Sequence, residues 1–378
     1  MPESLSVQPL DRFSAPDRRR FIDVARAVYT TDPRWVAPLD SEMHGVLGPR
    51  NPFYQHAEGQ LWWALRDGRP VGRIAAFVDQ THNQLHQERT GFFGFFESVN
   101  DPEVAEALLA TARRWLAERG MDRIRGPMNP SINDECGLLV EGFERPPVLM
   151  MSYNPPGYAA LLEGTGLTRV KDLLAFIISV AEAPESRLRK VRRHLEERHP
   201  ELRLRMITRQ SLPQDVPLIK RVYNEAWENN WGAVPLSEPE IDFLVERLAP
   251  LLVNGLVWMA ECRGEPVGFL LALPDFNEAL QPLRGRLLSW GLLRALPYLA
   301  GWRKPRIMRL VALGVRAEYR GRGLEAAMLA ETLTACQREG FQECEASWVL
   351  EDNEAVQRVI RIFGGKRYKA YRLYERAV

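Results

Sequence analysis

The chain has 378 residues, 50 Lys+Arg against 49 Asp+Glu, and 46% hydrophobic residues, far from disordered or fibrous compositions and long enough for two cores at roughly 150 residues each. A formal charge of +1 supplies no general attraction to a phosphate backbone, so nucleic acid is not an expected partner. Cys136, Cys262, Cys336 and Cys344 lie far apart with no C-x-x-C pair, which argues against a disulfide framework or zinc ribbon and for a cytoplasmic protein.

The opening segment MPESLSVQPLDRF holds no apolar leader, and no run of eighteen apolar residues follows; neither secretion nor a membrane span is expected. Ala64 to Gly72 reads ALRDGRPVG, a strand, a glycine turn and a second strand, which predicts a β-hairpin. In THNQLHQERTG, His82 and His86 are spaced as two zinc ligands on a helix face would be, but no third ligand stands close, so no metal is expected. NDPEVA, from Asn100, predicts a well-capped helix start that runs to LAERG at Gly120. The segment SRLRKVRRHLEERHPELR predicts a charged, solvated helix joining two halves, with the linker at 186–200.

The second half repeats the order of the first. Ala260 to Gly268, AECRGEPVG, is the hairpin again, 196 positions on, and CQREG closes a long helix at Gly340 as LAERG does at Gly120. An asparagine follows each glycine by thirteen residues, Asn133 and Asn353, and GLTRVKD from Gly166 parallels GGKRYKA from Gly364. Helices are predicted at Val216–Asn229, Glu238–Leu252, Leu324–Glu339 and Glu354–Phe363, and strands at Val257–Cys262, Pro266–Leu273, Met308–Val315 and Glu343–Leu350, before a closing Tyr-rich strand. The expectation is α/β (α+β): residues 1–185 and 201–378 as two domains of one plan, each a mixed, mostly antiparallel sheet flanked by helices. An insertion at about 279–305, apolar and punctuated by arginine, reads as a packing helix, a lid over an acceptor pocket, or an interfacial helix.

The sharpest local signal is LVALGVRAEYRGRGLEAAMLAETL, residues 310–333, an apolar strand that enters Arg320-Gly321-Arg322-Gly323 and then a helix. Glycines let the backbone approach an anion, and free N–H groups with the helix dipole favour negative charge. With the hairpin, strand, R-x-x-G-x-(G/A) turn, helix, strand, Asn and short helix ending in Gly, this half resembles the GCN5-related N-acetyltransferases over residues 200–378. That resemblance implies a transferase with acetyl-CoA or another acyl-CoA as cosubstrate, held by the backbone of Leu313 and Val315 and by Arg320, Gly321, Arg322, Gly323, Leu324 and Asn353. The first half carries NDPEVA where the second has RGRGLE, so one cofactor site is expected and the first copy reads as degenerate.

Two positions depart from the family pattern. Glu325 stands where a small residue is usual, a carboxylate that would oppose a pyrophosphate by roughly 1 kcal/mol, and Ile360 stands seven residues after Asn353 where the family often has a tyrosine acid. Tyr368, Tyr371 and Tyr374 are the nearby alternatives, of which Tyr371 is the assigned acid. Direct transfer also needs a base for the attacking amine; Glu351, Asp352, Glu345 and Glu228 are the acids available, and Glu351, beside Asn353, is the assigned one. The expected partner is a small-molecule or peptide amine, with a homodimer possible. The competing expectation is a non-catalytic CoA-, ligand- or protein-binding module that kept the fold.

Overall fold

The computed structural model describes residues 4–228 and 230–378; Asn229, the predicted last residue of its helix, lies outside them. Two compact units emerge, and neither is contiguous in sequence. One comprises the chain through Asp172 with Ala279–Leu296 and Ala370–Val378; the other comprises Leu173–Glu278 and Pro297–Lys369. The sequence expectation divides the chain within 186–200, whereas each unit takes its last strand from the other half of the sequence. Leu173–Ser179 pairs with Glu343–Leu350 in the second unit, and Tyr374–Ala377 pairs with Arg123–Gly126 in the first.

In the first unit, strands Leu5–Leu10, Ala57–Arg66, Arg69–Asp79 and Thr90–Ser98 run antiparallel to their neighbours, then Arg123–Gly126 joins parallel to Thr90–Ser98. Helix Pro102–Ala117 makes that parallel crossover and buries Val104, Leu108, Leu109, Ala112 and Leu116 against Trp62, Ile74 and Phe93. The second unit repeats the order with Leu202–Met206, Val257–Cys262, Glu265–Pro274, Ile307–Val315 and Glu343–Leu350, the last pair again parallel across helix Leu324–Glu339. On the sheet's other face, Leu212–Trp227 packs over Val257, Met259 and Phe269. The sheets are mixed and mostly antiparallel, as the pattern of the sequence predicts.

Both predicted hairpins form, and they share a defect as well as a turn. Asp67-Gly68 and Arg263-Gly264 each have positive φ at both positions, the two-residue turn whose twist matches the flanking strands. Two residue pairs beyond each turn a bulge skips a valine: the register shifts at Ala64/Leu65 opposite Val71 and at Ala260/Glu261 opposite Val267. A common irregularity of this kind is what a duplicated unit would retain.

The charged segment forms helix Glu185–Arg198, but it is packed rather than free. Leu188 and Leu195 are buried, and Arg192 Nη1 lies 3.2 Å from Glu331 Oε1 on the Leu324–Glu339 helix. The insertion is less helical than its composition predicts. It holds short turns at Asn277–Leu280 and Gln281–Leu283 and the helix Leu292–Leu299. Gly285 and Gly291 interrupt it, with Gly285 at positive φ and its carbonyl accepting the Asp40 N–H at 2.9 Å.

Candidate active site

Strand Ile307–Val315 pairs on one side with Glu265–Pro274 along its length, Leu313 opposite Leu270 and Val315 opposite Gly268. A bulge at Leu271/Ala272 shifts this ladder by one residue at Val311. On the other side it pairs with Glu343–Leu350 only from Ile307↔Glu343 to Leu310↔Ala346, although both strands continue. Beyond Leu310 the two parallel strands have no registered pairs among the described residues. Backbone groups of Leu313 and the Val315 N–H therefore border a gap of the kind a linear amide-bearing molecule fills by adding as a strand does.

The gap ends in the arginine–glycine turn. Ala317–Tyr319 forms one 3-10 turn, Gly321 and Gly323 have φ of 75° and 88°, and Gly323 is the N-cap of helix Leu324–Glu339. A Cβ built on either glycine would meet nothing within 4 Å, so the requirement for glycine here is conformational and the turn's surface is open to a ligand. The N–H groups of the first helical turn and the positive end of the helix dipole at such a turn favour an anion. Leu324, fully buried, anchors the helix start.

The side chains of the motif divide their work. Arg320 turns inward: its Nε donates to the Val315 carbonyl at 3.1 Å and its Nη2 to the Ala226 carbonyl at 2.6 Å, fastening the turn to the strand end and to helix Leu212–Trp227. Arg322 stays at the rim, donating to the Glu318 carbonyl at 2.9 Å with its guanidinium 4.8 Å from the Tyr319 ring centroid. Burial pushes the Glu325 carboxyl up, with Arg320 opposing; the group thus favours its neutral form more than an exposed glutamate does. Asn353 caps helix Glu354–Ile362 by accepting the Val356 N–H at 3.2 Å.

Near the point where the two strands part lies a buried polar cluster. Glu345, directly opposite Arg309 in the parallel register, is fully buried. Ser347 Oγ donates to Glu345 Oε2 at 2.9 Å, Arg309 Nε lies 3.8 Å from the same oxygen, and Tyr368 Oη is 3.4 Å from Oε1. Desolvation raises the Glu345 pKa, while Arg309, Ser347, Lys369 and Tyr368 oppose that rise. Glu351 instead sits half-buried in the turn past Leu350, where its carbonyl accepts the Gln357 Nε2–H at 2.9 Å. Ile360 is a packing residue against Gly365. Tyr371 is fully buried and belongs to the first unit.

The first unit lacks the turn. Asp101 caps helix Pro102–Ala117 by accepting the Glu103 N–H at 2.8 Å, and Arg66 bridges Asp101 and Glu103, each at 2.6 Å. Carboxylates thus stand where the second unit exposes glycine backbone. Below them lies a buried cluster in which Tyr158 Oη donates to Glu97 Oε2 at 2.9 Å and Arg73 Nη2 lies 3.6 Å from Glu97 Oε1; burial drives the Glu97 carboxyl up to about 7. His82 is buried against Glu88, and no metal-binding group of three His, Cys, Asp or Glu occurs among the described residues.

A sequence model of the acetyltransferase (GNAT) family matches residues 217–364. Over 385 aligned residues the chain is 36% identical to bacterial ceramide synthase of Caulobacter vibrioides, covering 99% of this chain and 98% of that protein. It is 33% identical to protein YghO of Escherichia coli, covering 96% and 93%. Among solved structures, a tandem GNAT protein from the clavulanic acid biosynthesis pathway superposes with a TM-score of 0.61 at 14% identity, covering 99% of this chain and 98% of that one. A GCN5-related N-acetyltransferase from Sphaerobacter thermophilus gives 0.53 at 14% identity, covering 100% and 96%; likenesses at this identity concern the fold.

Proposed function

This chain belongs to the GCN5-related N-acetyltransferase family and is an acyltransferase of that class, and from that premise we propose that it joins a fatty acyl group from acyl-CoA to the amine of a long-chain amino alcohol. The reading is carried by the full-length 36% identity to the protein named bacterial ceramide synthase, since a ceramide is the N-acyl amide of such an amine. The open turn fits the cosubstrate: Gly321 and Gly323 leave backbone room for a pyrophosphate, with Arg322 at its rim, Leu324 anchoring the helix start and Arg320 fixing the turn. Leu313, Val315 and Asn353 border the space for the pantetheine arm.

Glu345 is the group we assign to the proton. The neutral amine forms its bond to the thioester carbonyl carbon, a backbone N–H near Val315 holds the developing oxyanion, and the C–S bond breaks to release the thiolate. Glu345 takes the proton the amine loses, directly or through one water. Arg309 and Ser347 orient that carboxyl. The thiolate recovers a proton from solvent. A panel of amines with palmitoyl-CoA, followed by thiol release and by mass spectrometry of the amide, tests the acceptor class. Long-chain amino alcohols should exceed short amines and aminoacyl compounds by at least about 100-fold in kcat/KM, given the apolar area a long chain buries. A preference for short polar amines would leave the acyltransferase intact and remove this acceptor.

A further inference from the structure

The insertion wears its apolar residues on the outside. Leu288 is 95% exposed, Trp290 90%, Trp302 84% and Leu293 64%, and Leu287, Leu296 and Leu299 are also exposed. In helix Leu292–Leu299 the inward positions are Ala295 and Tyr298, while Leu293, Leu296 and Leu299, spaced three apart, form an outward row. Exposed large apolar residues elsewhere on the chain are scattered; seven of them here fall within sixteen positions, Leu287 to Trp302, and such patches mark interaction surfaces.

Charge identifies the partner. No Asp or Glu occurs between Glu278 and Glu318, whereas Arg284, Arg286, Arg294, Arg303, Lys304 and Arg306 are all present and exposed. Lys304 and Arg306 also pair with Glu339 and Glu278, and Arg303 stacks 4.9 Å from the Tyr298 ring centroid. Leucines and two tryptophans ringed by cations have the chemistry of a segment that lies in a headgroup layer, rings at the interface and cations on lipid phosphates. No helix among the described residues is long and apolar enough to cross a membrane, and residues 287–302 are too short to do so.

We propose that residues 284–306 dock the protein on the surface of an anionic lipid bilayer. A cavity of about 690 Å³ is lined by Arg284 and Arg294 of this segment, by Gln281 and Pro282 just before it, and by Tyr29 and Trp35, whose rings stack at 4.6 Å. A docked segment would thus lie beside a cavity as well as on the lipid. The inference stands on exposure and charge and does not depend on the acceptor named above.

Vesicle flotation tests it directly. The protein should float with phosphatidylcholine vesicles containing 30% phosphatidylglycerol and partition at least about tenfold less into pure phosphatidylcholine. A Leu288→Ser, Trp290→Ala, Trp302→Ala variant should lose the anionic binding by at least about tenfold while keeping its melting temperature and its turnover of detergent-dispersed substrate. Leu288→Ser alone, at the most exposed position, should show the same direction with no route through misfolding. Failure to float, flotation unchanged in the variants, or a dimer in sedimentation velocity that the variants convert to monomer would each overturn the proposal, the last by assigning the face to a second copy.

Discussion

A carboxyl that takes a proton from an amine near neutral pH works best when its own pKa is raised toward that pH, and burial in strand Glu343–Leu350 raises that of Glu345. Only the deprotonated form accepts, so turnover should rise with pH through that pKa. Glu345→Gln should lower kcat by about 10²- to 10³-fold and remove that acidic limb, with KM for acyl-CoA unchanged. Glu351→Gln and Tyr371→Phe should stay within a few-fold of the native kcat. If Glu345→Gln retains kcat and Glu351→Gln loses it, the base lies in the turn past Leu350. The sequence offers Glu345 as one of four acids, and its pattern favours Glu351 instead, for its place beside Asn353. The rank of Glu345 comes from the register, Arg309↔Glu345 one step before the last pair at Leu310↔Ala346, and register between strands 36 positions apart is fixed by tertiary packing rather than local pattern. Arg320 differs in kind: the motif assigns it to the pyrophosphate cradle, whereas the fold engages its guanidinium with the carbonyls of Val315 and Ala226.

The strand–turn–helix from Ile307 to Glu339 joins the gap to the glycine turn proposed to hold the pyrophosphate, and Glu325 in the first turn of that helix would make such binding pH-dependent. Its pKa is raised, so below that value the group is neutral, and above it a carboxylate would oppose a pyrophosphate bound at the turn. Calorimetric titration with CoA should give binding that weakens as pH rises through the raised Glu325 pKa, by roughly fivefold in all, the equivalent of about 1 kcal/mol. Glu325→Gln should flatten the difference while reporting any contribution from the ligand's own phosphate; a variant that keeps the native slope would clear Glu325. Elements of this kind were well marked in the sequence, because hairpins, caps and glycine turns are local. Both hairpins, the Asp101 cap and the Gly340 helix end appear where residue pattern predicts them. The insertion is less legible: its composition suits a helix, while Gly285, Gly291 and Pro297 limit the helix to Leu292–Leu299. Exchange of the closing strands carries no local signal at all: Leu173–Ser179 and Tyr374–Ala377 read as ordinary strands, and their partners are chosen by the sheet edges each unit leaves open.

Taken as a molecule, the chain pairs one unit that keeps an exposed glycine turn with one whose equivalent helix start is closed by Asp101, Glu103 and Arg66. That asymmetry, visible first as RGRGLE against NDPEVA, is the basis for assigning a single acyl-CoA site. Calorimetry with CoA on the native chain and on Arg322→Glu tests it most directly. The account predicts micromolar binding at one site per chain, about 8 kcal/mol, abolished in Arg322→Glu with the melting temperature of the free protein nearly unchanged. Native binding that survives Arg322→Glu at full strength, or a second equivalent site per chain, would contradict it.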